Sequence, residues 1–158
     1  AAQQLLLEEG AAMFQRAGLE ATVVRELEQA RWQKLVWNVP YNGLSVLFNA
    51  GTRELMANTH SRELISELMQ EVICAARACG YELPDGYAAR LLKATDRMPD
   101  YWPSMFHDFT QRRPMELQVI YANPIAAALA AGCAVPRMQM LDQALCFLDQ
   151  RNGLETAQ

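Results

Sequence analysis

The sequence predicts an all-α fold, a multi-helix domain built around one long central helix. Apolar residues recur at helical spacing through most of the chain, and single Gly, Pro and Asn residues punctuate those runs. Only one segment, "EATVVREL", reads as extended, and no internal repeat is present. At 158 residues the chain is long enough to bury a proper core as one domain.

The first helix is "QQLLLEEGAAMFQRAG", with Gly18 as its C-terminal glycine. The extended "EATVVREL" follows. A long helix then runs from about Glu28 to Asn49, with Gly51 helping to end it. In "SRELISELMQEVICAARACG", Leu64, Ile65, Leu68, Met69, Val72, Ile73, Ala76 and Cys79 share one face; Ser61 is its expected cap and Gly80 its stop. "DGYAARLLKATDRM" is a further helix, and "PSMFHDFTQRR" a short one begun by Pro103 or Ser104. "MELQVIYANPIAAALAAG" and "PRMQMLDQALCFLDQRNG" complete the set, with Pro136 near the start of the last and a fraying tail at residues 154–158.

Composition excludes several function classes. A net charge of −4 without a basic cluster argues against nucleic acid. No apolar run approaches the roughly 20 residues that cross a bilayer. Four cysteines without a CxxC pair, and only two histidines, argue against a zinc site and for a reduced, cytoplasmic protein.

The central helix carries the chemical signal. Each helical residue turns about 100°, so with Lys34 at zero Ser45 falls near 20°, Asn38 near 40°, Arg31 and Asn49 near 60° and Asn42 near 80°. Trp32, Leu35, Val36, Trp37, Val39, Tyr41, Leu44, Val46, Leu47 and Phe48 fill the rest of the circumference. A rod apolar nearly all round is a buried element, here with one narrow polar arc. The arc could be a solvent face. Asparagine, however, is a poor helix former, and its amide offers two donors and an acceptor, so a cleft lining is the better reading. Pro40 should kink the helix between Asn38 and Asn42.

The pattern W-x-K-L-x-x-N-x-x-x-N, through Trp32, Lys34, Leu35, Asn38 and Asn42, resembles the C-terminal domain of ketopantoate reductases (2-dehydropantoate 2-reductases). "PSMFHDFTQRRPMELQ" resembles a second block of that family, through Ser104, Met105, Asp108, Arg112 or Arg113, and Glu116. "AAGCAVPRMQML" is similar to the Gly-x-x-x-Pro turn before the family's last helix. The three blocks lie in the family's order and spacing over residues 20 to 150.

The resemblance implies NADPH-dependent reduction of a small 2-oxo acid, ketopantoate (2-dehydropantoate) giving pantoate in the founding case. Lys34 matches the general acid, Glu116 the carboxylate that positions it, Asn38 and Asn42 substrate-binding amides, and Ser104 a hydroxyl for the substrate carboxylate. Partial desolvation of Lys34 would suit its role. Thr52 stands where a further substrate-contacting asparagine is expected, and Gln118 and Ala122 also depart from the pattern, which opens the identity of the oxo acid. Plainer readings compete: Ser104 as a helix cap, Glu116 as an acid favoured by the helix dipole, Glu71 as a structural partner, His107 as surface.

No GxGxxG turn or βαβ unit is present, so NADPH would be held mainly by an N-terminal Rossmann domain absent from this chain. Residues 1–25 then read as the closing helix and strand of that domain, residues 26–153 as the helical substrate and catalytic domain, and the chain alone as inactive. A homodimer is a further possible partner. The alternative is a non-catalytic helical module for dimerisation or small-acid binding.

Overall fold

The computed structural model describes residues 2–24 and 26–156. Eight α-helices follow in order: α1 (Ala2–Arg16), α2 (Leu27–Phe48), α3 (Thr52–Ala57), α4 (Thr59–Ala78), α5 (Tyr87–Thr95), α6 (Ser104–Thr110), α7 (Asn123–Ala130) and α8 (Pro136–Thr156). A single wide, π-helical turn (Gln118–Ala122) leads into α7. There is no strand among the described residues. The all-α expectation therefore holds, with one correction. Of residues 20–27, expected to be extended, 20–24 form no strand and Leu27 already begins α2; Leu19 and Val24 are exposed. A strand needs a neighbouring strand, and none lies beside this segment among the described residues; its Ala21 carbonyl instead accepts from the Gln15 side-chain amide at 2.7 Å.

Helix α2 is the predicted central rod. Val36, Val39, Tyr41 and Leu44 have no exposed surface, and the helix packs on α4, α6, α8 and the wide turn. It continues through Pro40 and ends at Asn49, which takes the left-handed cap at φ 51°. Gly51, the expected stop, instead precedes α3 at φ −76° and lies so close to the Asp100 carboxylate that a Cβ would sit 2.7 Å from Oδ1. Gly43 is the other tight glycine of the fold. Midway along α2, it faces Leu141 of α8 and the Tyr121 hydroxyl, which donates to the Val39 carbonyl at 2.8 Å. Burial holds the Tyr121 phenol well above its ordinary pKa, the charge of Asp142 adding to this, so the O–H stays a donor.

Caps differ from the local expectation. Helix α4 starts two residues before Ser61, and Asn58 caps it by accepting from the His60 and Ser61 amides. Glu71 reaches across from α4 to α8, its two oxygens accepting the Arg137 and Met138 amides at 3.0 Å each. It is thus the structural partner the sequence suggested, satisfying donors that Pro136 and its neighbours leave free. Replacing Glu71 with Ala removes both acceptors from a side chain only 11% exposed. The expected loss is about 1–3 kcal/mol, read as a lower urea midpoint at unchanged m.

The segment 115–132, predicted as one regular helix, contains the wide turn, where the Asn123 amide donates to Gln118 O, five residues back. Pro124 follows directly and has no N–H to give the preceding turn, so a widened turn relieves the mismatch. Helix α8 extends to Thr156, past the expected fraying point at Leu154; residues 157 and 158 lie outside the described residues. No helix among the described residues is long and apolar enough to cross a membrane.

Candidate active site

The polar arc of α2 divides along its length. Its first half, Arg31, Lys34 and Asn38, opens into a cavity of about 740 Å³. Glu116 and Asn123 line the same space from the wide-turn helix, together with Glu28, Trp32, Leu35, Tyr81, Ile120 and Pro124. Lys34 and Glu116, 82 positions apart by number (116 − 34), thus share one cavity. Glu116 sits at the start of its helix, its carbonyl accepting from the Ile120 amide at 3.1 Å. The position by the helix dipole and the position in the cavity therefore coincide.

Two expectations need correction here. Lys34 is exposed, so the chain by itself does not supply the partial desolvation expected of it. Nor do Lys34 and Glu116 form an ion pair among the described residues; they face the same space instead. The charge at the cavity edge is balanced, since Arg31 pairs with Glu28 at 2.6 Å.

The second half of the arc turns inward. Asn42 is 3% exposed; its amide nitrogen donates to the Asn38 carbonyl at 3.1 Å, and its Oδ1 accepts from the Met105 amide at 3.3 Å. That bond is a cap delivered from another helix, because Pro103, at the N-cap position of α6, has no side-chain acceptor. Ser45, also buried, donates to the Asn42 carbonyl at 2.9 Å. Ser104 is the first residue of α6, exposed, next to the amide that Asn42 holds, and not part of the cavity lining.

Thr52 lies elsewhere. It is 2% exposed, exchanges backbone-to-backbone and backbone-to-hydroxyl bonds with Tyr101 at 3.0 and 2.9 Å, and borders a separate depression with Met56 and Asp96. Its geometry fastens the 96–103 connection to α3. Among the other residues of the second sequence block, Asp108 pairs with Arg113 at 2.6 Å and His107 is exposed. Asn123 was missed in the sequence. Its signal, an asparagine just before a proline inside an apolar helix, looks like a helix breaker until the fold shows the cavity on that side.

The described residues contain no βαβ unit and no group of His, Cys, Asp or Glu that could hold a metal. The cavity offers a cation, amides and a carboxylate against an apolar wall, a donor set for a small polar organic molecule rather than for a dinucleotide phosphate.

Comparison with known proteins agrees with this arrangement. Residues 26–148 match the family model described as "Ketopantoate reductase PanE/ApbA C terminal". A 2-dehydropantoate 2-reductase from Nostoc sp. (strain PCC 7120 / SAG 25.82 / UTEX 2576) is 43% identical over 139 residues, which are 88% of this chain and 44% of that protein. The crystal structure of 2-dehydropantoate 2-reductase from Methylococcus capsulatus superposes with a TM-score of 0.87 at 31% identity, covering 92% of this chain and 47% of that one. That of Geobacter metallireducens GS-15 gives 0.84 at 41% identity, covering 88% and 47%. The chain spans about half the length of the relatives it matches. The family model, the sequence relative and the superposed structures thus agree on one assignment: this chain belongs to the ketopantoate reductase family and corresponds to its C-terminal domain.

Proposed function

We propose that this chain is the substrate-binding and proton-donating half of an NADPH-dependent 2-oxo acid reductase, with 2-dehydropantoate as its substrate. The observation that carries the reading is the single cavity shared by Lys34, Asn38 and Glu116. When bound by the rest of the protein, the nicotinamide supplies a hydride to the keto carbon. The carbonyl oxygen then gathers negative charge and must take a proton. The Lys34 ammonium, on a flexible stem at the cavity edge, neutralises that charge and donates the proton. Asn38 offers its amide donors to the substrate's oxygens, and Asn123 lies within the same lining. Glu116 faces the same space as the lysine and supplies a carboxylate acceptor there.

Asn42, the next amide along the arc, is committed to holding the start of α6 rather than to the cavity. An N-terminal nucleotide-binding domain of the same protein is the partner this reading requires. The apolar Leu5, Leu6, Leu7, Met13 and Phe14 of α1, all more than half exposed, suit a covering of that kind.

Following NADPH consumption by the full-length protein over a panel of 2-oxo acids tests the proposal. Turnover greatest with 2-dehydropantoate is expected. No reduction of any member would leave the non-catalytic module as the better account. Glu116→Gln keeps the shape and removes the charge; kcat should fall about 10-fold or more in steady-state assays of the full-length protein.

A further inference from the structure

The two sulfurs of Cys74 and Cys133 lie 3.4 Å apart, although the residues are 59 positions apart in sequence. Cys74 is on the exposed side of α4, and Cys133 is buried in the turn between α7 and α8. All four cysteines are free thiols. A disulfide needs sulfurs about 2.05 Å apart, so closing this pair asks for a shift on the order of 1.4 Å. That is within reach of a side-chain rotation at Cys74, which has solvent on one side.

We propose that Cys74 and Cys133 are a reversible dithiol site, closed to a disulfide by peroxide and reopened by small thiols. The Cys74 thiolate attacks a peroxide oxygen, breaking the O–O bond; the sulfur becomes a sulfenic acid and hydroxide leaves. The Cys133 sulfur then attacks the Cys74 sulfur. Its proton leaves with the sulfenic oxygen as water, and the S–S bond forms. Overall two thiols are oxidised and one peroxide is reduced to two waters.

The order of attack follows from the surroundings. Cys74 is open to the reagent, whereas burial, helped by the neighbouring Cys74 sulfur, pushes the Cys133 thiol up to about 11. Cys133 is thus held protonated and out of reach until Cys74 has been oxidised beside it. The bond would tie α4 to the α7–α8 turn. Both ends adjoin segments of the cavity wall: Cys79 and Tyr81 follow α4, and Asn123, Pro124 and Ala127 belong to α7, before the turn. The site is independent of which oxo acid the cavity accepts.

A tryptic map of the full-length folded protein tests it directly. Cleavage after Arg62 and Arg77, and after Arg112 and Arg137, puts Cys74 and Cys133 in separate peptides that contain no other cysteine. After treatment with a few equivalents of hydrogen peroxide, most of both peptides should migrate as one cross-linked species, and dithiothreitol should restore the two. Cys74→Ser should abolish the species and leave the Cys133 peptide reduced. Peroxide that converts Cys74 to sulfinic acid while Cys133 stays free overturns the proposal. So does a bond from Cys74 to Cys79, or no change in either peptide.

Discussion

Replacing Lys34 with alanine in the full-length protein is expected to lower kcat for 2-oxo acid reduction by about 10²–10⁴-fold. The fold should be indifferent to the change. Lys34 is exposed at the cavity edge and contributes nothing to the buried cluster of α2. Circular dichroism and the urea midpoint should therefore match those of the unmodified protein, which separates lost chemistry from lost structure. KM should change less than kcat, since the ammonium matters most when charge gathers on the carbonyl oxygen. Lys34→Arg is a useful companion: it keeps the charge, but guanidinium does not release a proton at working pH, so little activity should return. Activity near normal in Lys34→Ala would take the proton-donor role away from this residue.

The second large effect concerns stability. Gly43→Ala should destabilise the protein by about 3 kcal/mol, the upper part of the range for overpacking a core. Helix propensity alone argues the opposite, favouring alanine over glycine by about 1 kcal/mol. Packing wins because the new methyl would overlap the Tyr121 hydroxyl and lie 2.7 Å from Leu141 Cδ2. Both neighbours are fixed: Tyr121 and Leu141 have no exposed surface, and Tyr121 is bonded to the Val39 carbonyl. Tyr121→Phe removes the hydroxyl and, alone, costs about 1–2 kcal/mol for the lost buried bond. In combination the two changes should cost less than their sum, because the second deletes part of what the first collides with. Chemical denaturation of the four proteins in this cycle measures the coupling. Additivity would mean that the hydroxyl is not the obstacle.

What could be read from the sequence is what depends on neighbours along one helix. The apolar faces of α2 and α4 stand out because helical spacing repeats over many residues, and Gly18 and Gly80 do take the positive φ of helix-ending glycines. Lys34 and Asn38 were legible for the same reason, as the polar exceptions on an apolar rod. Contacts between distant segments were not. Asn42 looks identical to Asn38 in a helical projection, yet its acceptor is occupied by the start of α6. Glu71 and Asn42 both cap helices they do not belong to, which no rule about adjacent residues can supply. The extended reading of residues 20–27 has the complementary fate: no strand forms there among the described residues, and Leu27 already begins α2. Its β-branched pattern is a request for partners, and none is available among the described residues. Thr52 was placed with the substrate by resemblance, and in the fold its hydroxyl oxygen instead accepts from the Tyr101 amide.

The wide turn at Gln118–Ala122 sets the angular phase between Glu116 and the residues of α7. An ordinary helix would carry the same stretch with one residue fewer, and each residue is about 100° of rotation and 1.5 Å of advance. Trimming the chain by a single position there would swing the Glu116 carboxylate roughly a quarter-turn around the axis. The helix would be more regular, and its acid would point away from the lysine's compartment. That surplus residue acts as a clocking device, aligning two side chains that no direct bond holds together.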